Sequence, residues 1–149
     1  MRQDRSTGRR DALLLLVVQH DTAAMARDDG WVTPCLHCRS TLAVTRTGAP
    51  LGATTLEHIV PRSWFRQRSA RVLVERVGAP DDVRNLALAC ARCNQQKGKS
   101  HDADGPSSER AREVITALLD ARAARLPTDG VTLPPPQPPG PRRPVPPDR

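Results

Sequence analysis

Four cysteines in two pairs, Cys35-x2-Cys38 and Cys90-x2-Cys93, constrain this chain more than any other feature of its sequence. A spacing of two residues turns both thiolates of a pair toward one point, and two such pairs complete a tetrahedral site for zinc. The alternatives ask for more than the chain offers. Disulfides require an oxidising compartment, and a thioredoxin-like redox pair needs only one such motif, set in a βαβ unit. A structural Zn²⁺ on Cys35, Cys38, Cys90 and Cys93 is therefore expected. The pairs stand 51 residues apart, farther than in a simple zinc ribbon, so a substantial unit is held between them. Four thiolates leave the ion no open position; its role is scaffolding, and any catalysis sits elsewhere.

The ion matters because the rest of the chain builds little core. Of 149 residues only Trp31, Trp64 and Phe65 are aromatic, and residues 127–149 hold ten of the fifteen prolines. Such a segment forms neither helix nor central strand and buries almost nothing, so a disordered tail of polyproline character is expected there. Near the other end, ALLLLVV at residues 12–18 is too short to span a membrane. Arg9 and Arg10 before it give the look of a secretory leader, but Asp4, Asp11 and the polar QHDT at 19–22 disagree. The expectation is a buried helix or strand leading into the core of a cytoplasmic protein with no membrane partner.

The formal charge of +7 is unevenly placed. Residues 1–30 and 102–149 are each balanced, whereas 31–101 set nine Arg and two Lys against Glu57, Glu75, Asp81 and Asp82. Charge concentrated in this way attracts polyanions, nucleic acid first among them. A basic face that only confers solubility has the same composition, so motifs must decide.

Within the basic segment runs TTLEHIVPRSW, residues 54–64. Thr55, Leu56, Ile59 and Val60 read as a strand, interrupted by Glu57-His58. Neighbours on a strand point to opposite faces, and a carboxylate or imidazole turned inward needs a partner. Asn85 precedes the second cysteine pair; Asn94, Lys97 and Lys99 follow it. The order is Cys-x2-Cys, Glu-His-Ile-Val-Pro, Asn-Leu, Cys-x2-Cys-Asn-x2-Lys-Gly. In this order the sequence resembles the HNH endonuclease family, in its small free-standing phage and bacterial variety with four zinc-binding cysteines. The resemblance covers about residues 25–101, including the approach RDDGWVTPCLHC.

The resemblance implies an α+β protein with a small ββα-metal (His-Me finger) core, in which a hairpin and a helix clasp one catalytic Mg²⁺ or Mn²⁺. On this chain Glu57 and Asn94 become the oxygen ligands of that ion and His58 the general base. Asn85 becomes the brace that holds the loop and orients the His58 ring. The residue types suit those roles. Hard cations take oxygen ligands, a neutral imidazole accepts a proton from water, and the metal polarises the phosphate. Two departures leave the preferred metal open: Asn94 stands where the family name implies histidine, and Glu57 where aspartate is more frequent. By sequence proximity His101 is a candidate third ligand or phosphate contact. His37 is expected at the surface, and His20 as structural or exposed.

Between His58 and Asn85, WFRQRSARVLVERVGAPDD replaces the short glycine-containing loop of many relatives. Its apolar spacing fits a short helix or a strand equally. Arg62, Arg66, Arg68 and Arg71 are expected on phosphates, as are Lys97 and Lys99 near the scissile bond. Trp64 and Phe65 fit core packing better than base stacking. SSERAREVITALLDARAAR, residues 107–125, reads as a helix capped by Ser107 or Ser108, with Val114, Leu118 and Arg122 on neighbouring turns and the core or a partner subunit beside it.

The expected organisation is an apolar element at 1–26, a nuclease domain at 27–102, a helix at 103–126 and the tail at 127–149. The expected activity is metal-dependent hydrolysis of double-stranded DNA, with a homodimer or two visits needed to cut both strands. The rival is a non-catalytic zinc-ribbon module that binds nucleic acid through the same knuckles and basic face. It gives no reason for Glu57, His58, Asn85 and Asn94 to occur together.

Overall fold

A computed structural model describes residues 2–128, so the tail expected at 127–149 lies outside the described residues apart from Pro127 and Thr128. Helix α1 (Arg2–Gln19) carries the ALLLLVV run in its second half. Leu14, Val17 and Val18 are buried there. Among the described residues no helix is long and apolar enough to cross a membrane. Strands β1 (Met25–Arg27), β2 (Gly30–Pro34), β3 (Thr41–Thr45) and β4 (Pro50–Leu51) follow as one antiparallel sheet in sequence order. Two close approaches in this region admit only glycine. At Gly30 an added Cβ would collide with the Val44 carbonyl across the β2–β3 ladder. At Gly48, with φ +90, it would collide with the backbone of α1 at Asp11.

A second, two-stranded sheet pairs β5 (Thr54–His58) antiparallel with β6 (Leu86–Cys90), in the register Thr54↔Cys90 to His58↔Leu86. Helix α3 (Ala91–Lys97) starts directly after β6, with the Cys90 sulfur accepting the Cys93 amide at its first turn. This β5–β6–α3 unit is the expected ββα core. Single turns at Arg62–Trp64 and Arg68–Ala70 and helix α2 (Arg71–Val77) fill the long β5–β6 connection. The ambiguous RVLVERV is thus helical. Leu73 and Val77, four residues apart, face inward, while Val72 is 80% exposed.

Strand β6 lies between two halves of the core, which explains its unbroken apolar run LALA. Ala87 faces a cluster built on Ile59, Val60, Trp64, Leu73 and Ile115. Leu86 and Leu88 face a second cluster with Leu14, Val17, Trp31 and Val44. Trp64 is fully buried and donates its Nε1–H to the Asp102 carbonyl at 3.2 Å, so it anchors the core, with Phe65 packed at its margin.

Helix α4 (Glu109–Arg125) is capped by Ser108, whose Oγ accepts the Ala111 amide at 3.2 Å. Its inward stripe is Ala111, Ile115, Leu119 and Arg122, with Val114 and Leu118 on the flank. Arg122 is 1% exposed and donates to the carbonyls of Val83 (3.2 Å) and Val17 (3.5 Å). Burial draws its pKa down to about 10, which still leaves it charged at neutral pH. One turn on, Arg125 forks the buried Asp21 at 3.0 and 2.6 Å. Helix α4 therefore fastens α1 and the first sheet to the β5–β6 connection.

Candidate functional site

Folding brings the two cysteine pairs together. Cys35 and Cys38 lie in the turn after β2, Cys90 ends β6 and Cys93 opens α3. One sulfur from each lies within 4.8 Å of the other three, a set positioned to hold a metal ion. The Cys90 amide donates to Cys35 Sγ at 3.3 Å, and the Cys93 amide to Cys90 Sγ at 3.5 Å. Four bare thiols this close cannot all ionise. The hydroxyl and amide of Ser40 pull the Cys38 thiol down to about 6, whereas burial and then the neighbouring sulfurs push Cys93 up to about 12. A dication removes that conflict, and an all-sulfur set fits a soft or borderline one.

The first knuckle closes through Arg39, whose amide donates to the Cys35 carbonyl at 3.1 Å and whose φ is 64. That left-handed conformation costs a side-chain-bearing residue about 1–2 kcal/mol, more than the roughly 0.5–1 kcal/mol of unfolded-chain entropy that glycine adds. Arg39→Gly is therefore expected to raise the stability of the metal-loaded protein by about 0.5–1 kcal/mol in thermal melting. A lowered melting temperature would show that Arg39 contributes more than the turn costs.

Strand β5 sends Glu57 and His58 to opposite faces. Glu57, 1% exposed, points toward α3, where both its oxygens lie 2.8 Å from His37 Nε2 and one lies 3.7 Å from Lys97 Nζ. His37 is thus drawn inward, not left on the surface. Lys97 differs from expectation more sharply. It is 3% exposed and donates to both Asp102 oxygens (2.8 and 3.0 Å) and to the His58 carbonyl (3.3 Å). Its ammonium is a buried cation paired with Asp102. The cause is helical spacing: Lys97 follows Asn94 by three residues, on the face of α3 that packs against β5.

Asn94 donates Nδ2–H to Thr55 Oγ1 and to the Leu56 carbonyl, both at 3.1 Å. Thr55 and Glu57 share a face of β5, so through its bond to Thr55 the Asn94 side chain meets the strand on the face that carries Glu57. Oxygen donors of this kind fit a hard divalent cation, and His37 now occupies the carboxylate part of the set. His101, in the wide helical turn Gly98–Asp102 after α3, lines a cavity of about 300 Å³ with His37, Gln96 and Lys97.

On the other face, His58 Nε2 lies 2.8 Å from Asp81 Oδ1. With a carboxylate as partner, Nε2 carries the proton and Nδ1 is the nitrogen left to accept one. Arg62 Nη2 donates to both Asp81 oxygens at 2.7 and 2.9 Å, and Arg9 Nη2 donates to Oδ2. Partial burial works against the Asp81 charge, but hydrogen bonds from His58, Arg9 and Arg62 hold its carboxyl well below the usual range. Asn85, fully buried, accepts the Val60 amide at 2.7 Å and donates to the carbonyls of Val60 (3.1 Å) and Pro80 (3.0 Å). It braces the chain just after His58 and just before Asp81. The ring's own partner is Asp81, so any orienting effect of Asn85 passes through that residue.

His58 opens onto a groove of about 320 Å³ lined also by Arg9, Arg10, Leu13, Leu56 and Arg62. Arg66, Arg68 and Arg71 line a separate shallow groove with Phe65 and Val74, where Arg71 pairs with Glu75 at 2.8 Å. Lys99 is exposed. Sequence reasoning misses Arg9 and Arg10 because the apolar run of α1 reads only as a core element, and it misses Asp81 because its partners Arg9, His58 and Arg62 lie 72, 23 and 19 residues away. The RR pair just before the apolar run, one face of which must be buried, was the available signal. In the comparison with known proteins, no curated protein and no solved structure matches the chain. The family model for the HNH endonuclease matches residues 35–100, which contain both cysteine pairs, Glu57, His58, Asn85 and Asn94.

Proposed function

We propose, from the HNH endonuclease domain carried by residues 35–100, that this protein hydrolyses phosphodiester bonds in double-stranded DNA, with His58 as the general base. The observation that carries this reading is the His58 ring, fixed by Asp81 at the mouth of an arginine-lined groove. Glu57 and Asn94 would hold a divalent ion, Mg²⁺ or Mn²⁺, and Zn²⁺ would fill the cysteine site. When bound, the hard ion supplies polarisation of the phosphate and stabilisation of the leaving-group charge.

The chain's own residues do the rest. His58 Nδ1 takes a proton from the attacking water, while the Nε2–H···Asp81 bond keeps the ring from turning and faces a carboxylate to the cation that forms. Asn85 keeps the His58 and Asp81 segments at a fixed separation. The cysteine cluster fastens the turn after β2 to the β6–α3 junction, which holds Asn94 beside β5. One His58 cuts one strand per visit, so nicked circles precede linear DNA unless two copies act together.

The enclosure of Glu57 by His37 and Lys97 favours the second reading, a zinc-bearing module that binds nucleic acid without cutting. Supercoiled plasmid incubated with Mg²⁺, with Mn²⁺ and with no added divalent ion separates the two. The nuclease reading expects nicked circles in at least one ion and none without. Retarded but intact plasmid in every lane is the binding module's result.

A further inference from the structure

The groove beside His58 is formed by two elements far apart in sequence, α1 and the segment after β5. Arg9 from the first and Arg62 from the second converge on one carboxylate, that of Asp81, 72 and 19 residues away. The arrangement of two guanidiniums and an imidazole around a single two-oxygen anion is one that a phosphodiester phosphate also satisfies, since the guanidinium fork matches phosphate as it matches carboxylate. The Arg9 and Arg62 side chains are 68% and 55% exposed, so their ion pairs to Asp81 are solvent-screened and readily exchanged. Arg10 lines the same groove, with its own charge partly met by Asp11 at 3.2 Å. Helix α1 packs its second half through Leu14, Val17 and Val18 into the core, while Arg9 and Arg10 lie on its exposed first half.

We propose that Arg9 and Arg62 form a clamp for a nucleic-acid backbone phosphate next to His58, and that Asp81 is the internal anion occupying the clamp until DNA displaces it from the arginines. This deepens the nuclease reading by naming a phosphate contact of the same groove. Asp81 then has two roles of opposite sign: it orients His58, and it competes with the phosphate for Arg9 and Arg62.

The test is equilibrium binding of a fluorescein-labelled DNA duplex of about 20 base pairs, by anisotropy over a salt series, with no divalent ion added. Arg9→Ala is expected to weaken binding about tenfold and to reduce the slope of log K against log salt by about one, as loss of one phosphate contact does. Arg9→Lys is expected to retain most of the slope. Asp81→Asn is expected to tighten binding several-fold, a change that loss of structure does not produce. Melting curves on the same samples identify any variant that fails to fold, in which case Arg62→Gln replaces it in the series with the same expected fall in slope. An unchanged slope in the arginine variants, or weaker binding by folded Asp81→Asn, overturns the clamp. Because the readout is binding, intact plasmid in the cleavage assay leaves the clamp standing, and cleavage with an unchanged slope removes the clamp alone.

Discussion

Stripping the metal from Cys35, Cys38, Cys90 and Cys93 is expected to unfold the domain, with loss of the far-UV signature and of the cooperative melt, and with recovery on adding Zn²⁺. The sulfurs within 4.8 Å join the turn after β2 to the β6–α3 junction across 51 residues. Strand β6 contributes to both core halves, Ala87 to one and Leu86 and Leu88 to the other, and the cluster sits at its end. Structural zinc contributes about 10–16 kcal/mol in small zinc-binding peptides, comparable to or larger than the roughly 5–15 kcal/mol that holds an ordinary domain folded. With the ion gone, the crowded thiols also retain the conflict seen in the opposed shifts of Cys38 and Cys93. Cys90→Ser is expected to behave like the chelated protein. An unchanged melting temperature after complete metal removal would make the cluster dispensable for folding.

His58→Ala is expected to lower the cleavage rate by about 10²–10⁴-fold, the range general bases contribute, while the protein melts close to wild type. The side chain of His58 is 21% exposed and stands at the rim of the groove, so its truncation opens no cavity in either core half. Asn85→Ala is the contrasting variant. It removes bonds to Val60 and Pro80 from a fully buried position, so it is expected to lose about 2–4 kcal/mol of stability along with activity. A rate loss without a stability loss at His58, and both losses at Asn85, separates a chemical role from a bracing one.

The features legible in the sequence were those whose partners lie within one motif. The cysteine knuckle spacing and a strand carrying Glu57-His58 follow from local geometry, although β5 stops at His58 and leaves out Ile59 and Val60; the helix after Cys90 is what the family resemblance implies. Trp64 and Phe65 stand among Arg62, Arg66 and Arg68, so their reading as core rests on residue type and not on the surrounding pattern. Partners supplied from a distance were not readable. His37 meets Glu57 from 20 residues away, and Arg9 meets Asp81 from 72. Counting charge over residues 1–30 gave zero and hid the fact that Asp11 and Arg9 look to different places. The inward turn of Lys97 was available in principle. Once Asn94 is placed against β5, its neighbour three residues on shares that face, and a lysine buried there needs a carboxylate, which the half-buried Asp102 supplies. The choice between helix and strand for RVLVERV depended on Trp64 and Ile115 offering a surface to Leu73 and Val77, which no local pattern contains.

The central claim is that His58 deprotonates water in a metal-dependent DNA hydrolysis. Its most direct test is a time course of supercoiled plasmid with zinc-loaded wild type and His58→Ala in parallel, each with Mg²⁺, Mn²⁺ or no added ion. The account predicts nicked and then linear plasmid for wild type in the presence of an ion, and intact plasmid for His58→Ala in every lane. Equal cutting by the two proteins, or intact plasmid with wild type in both ions, contradicts it.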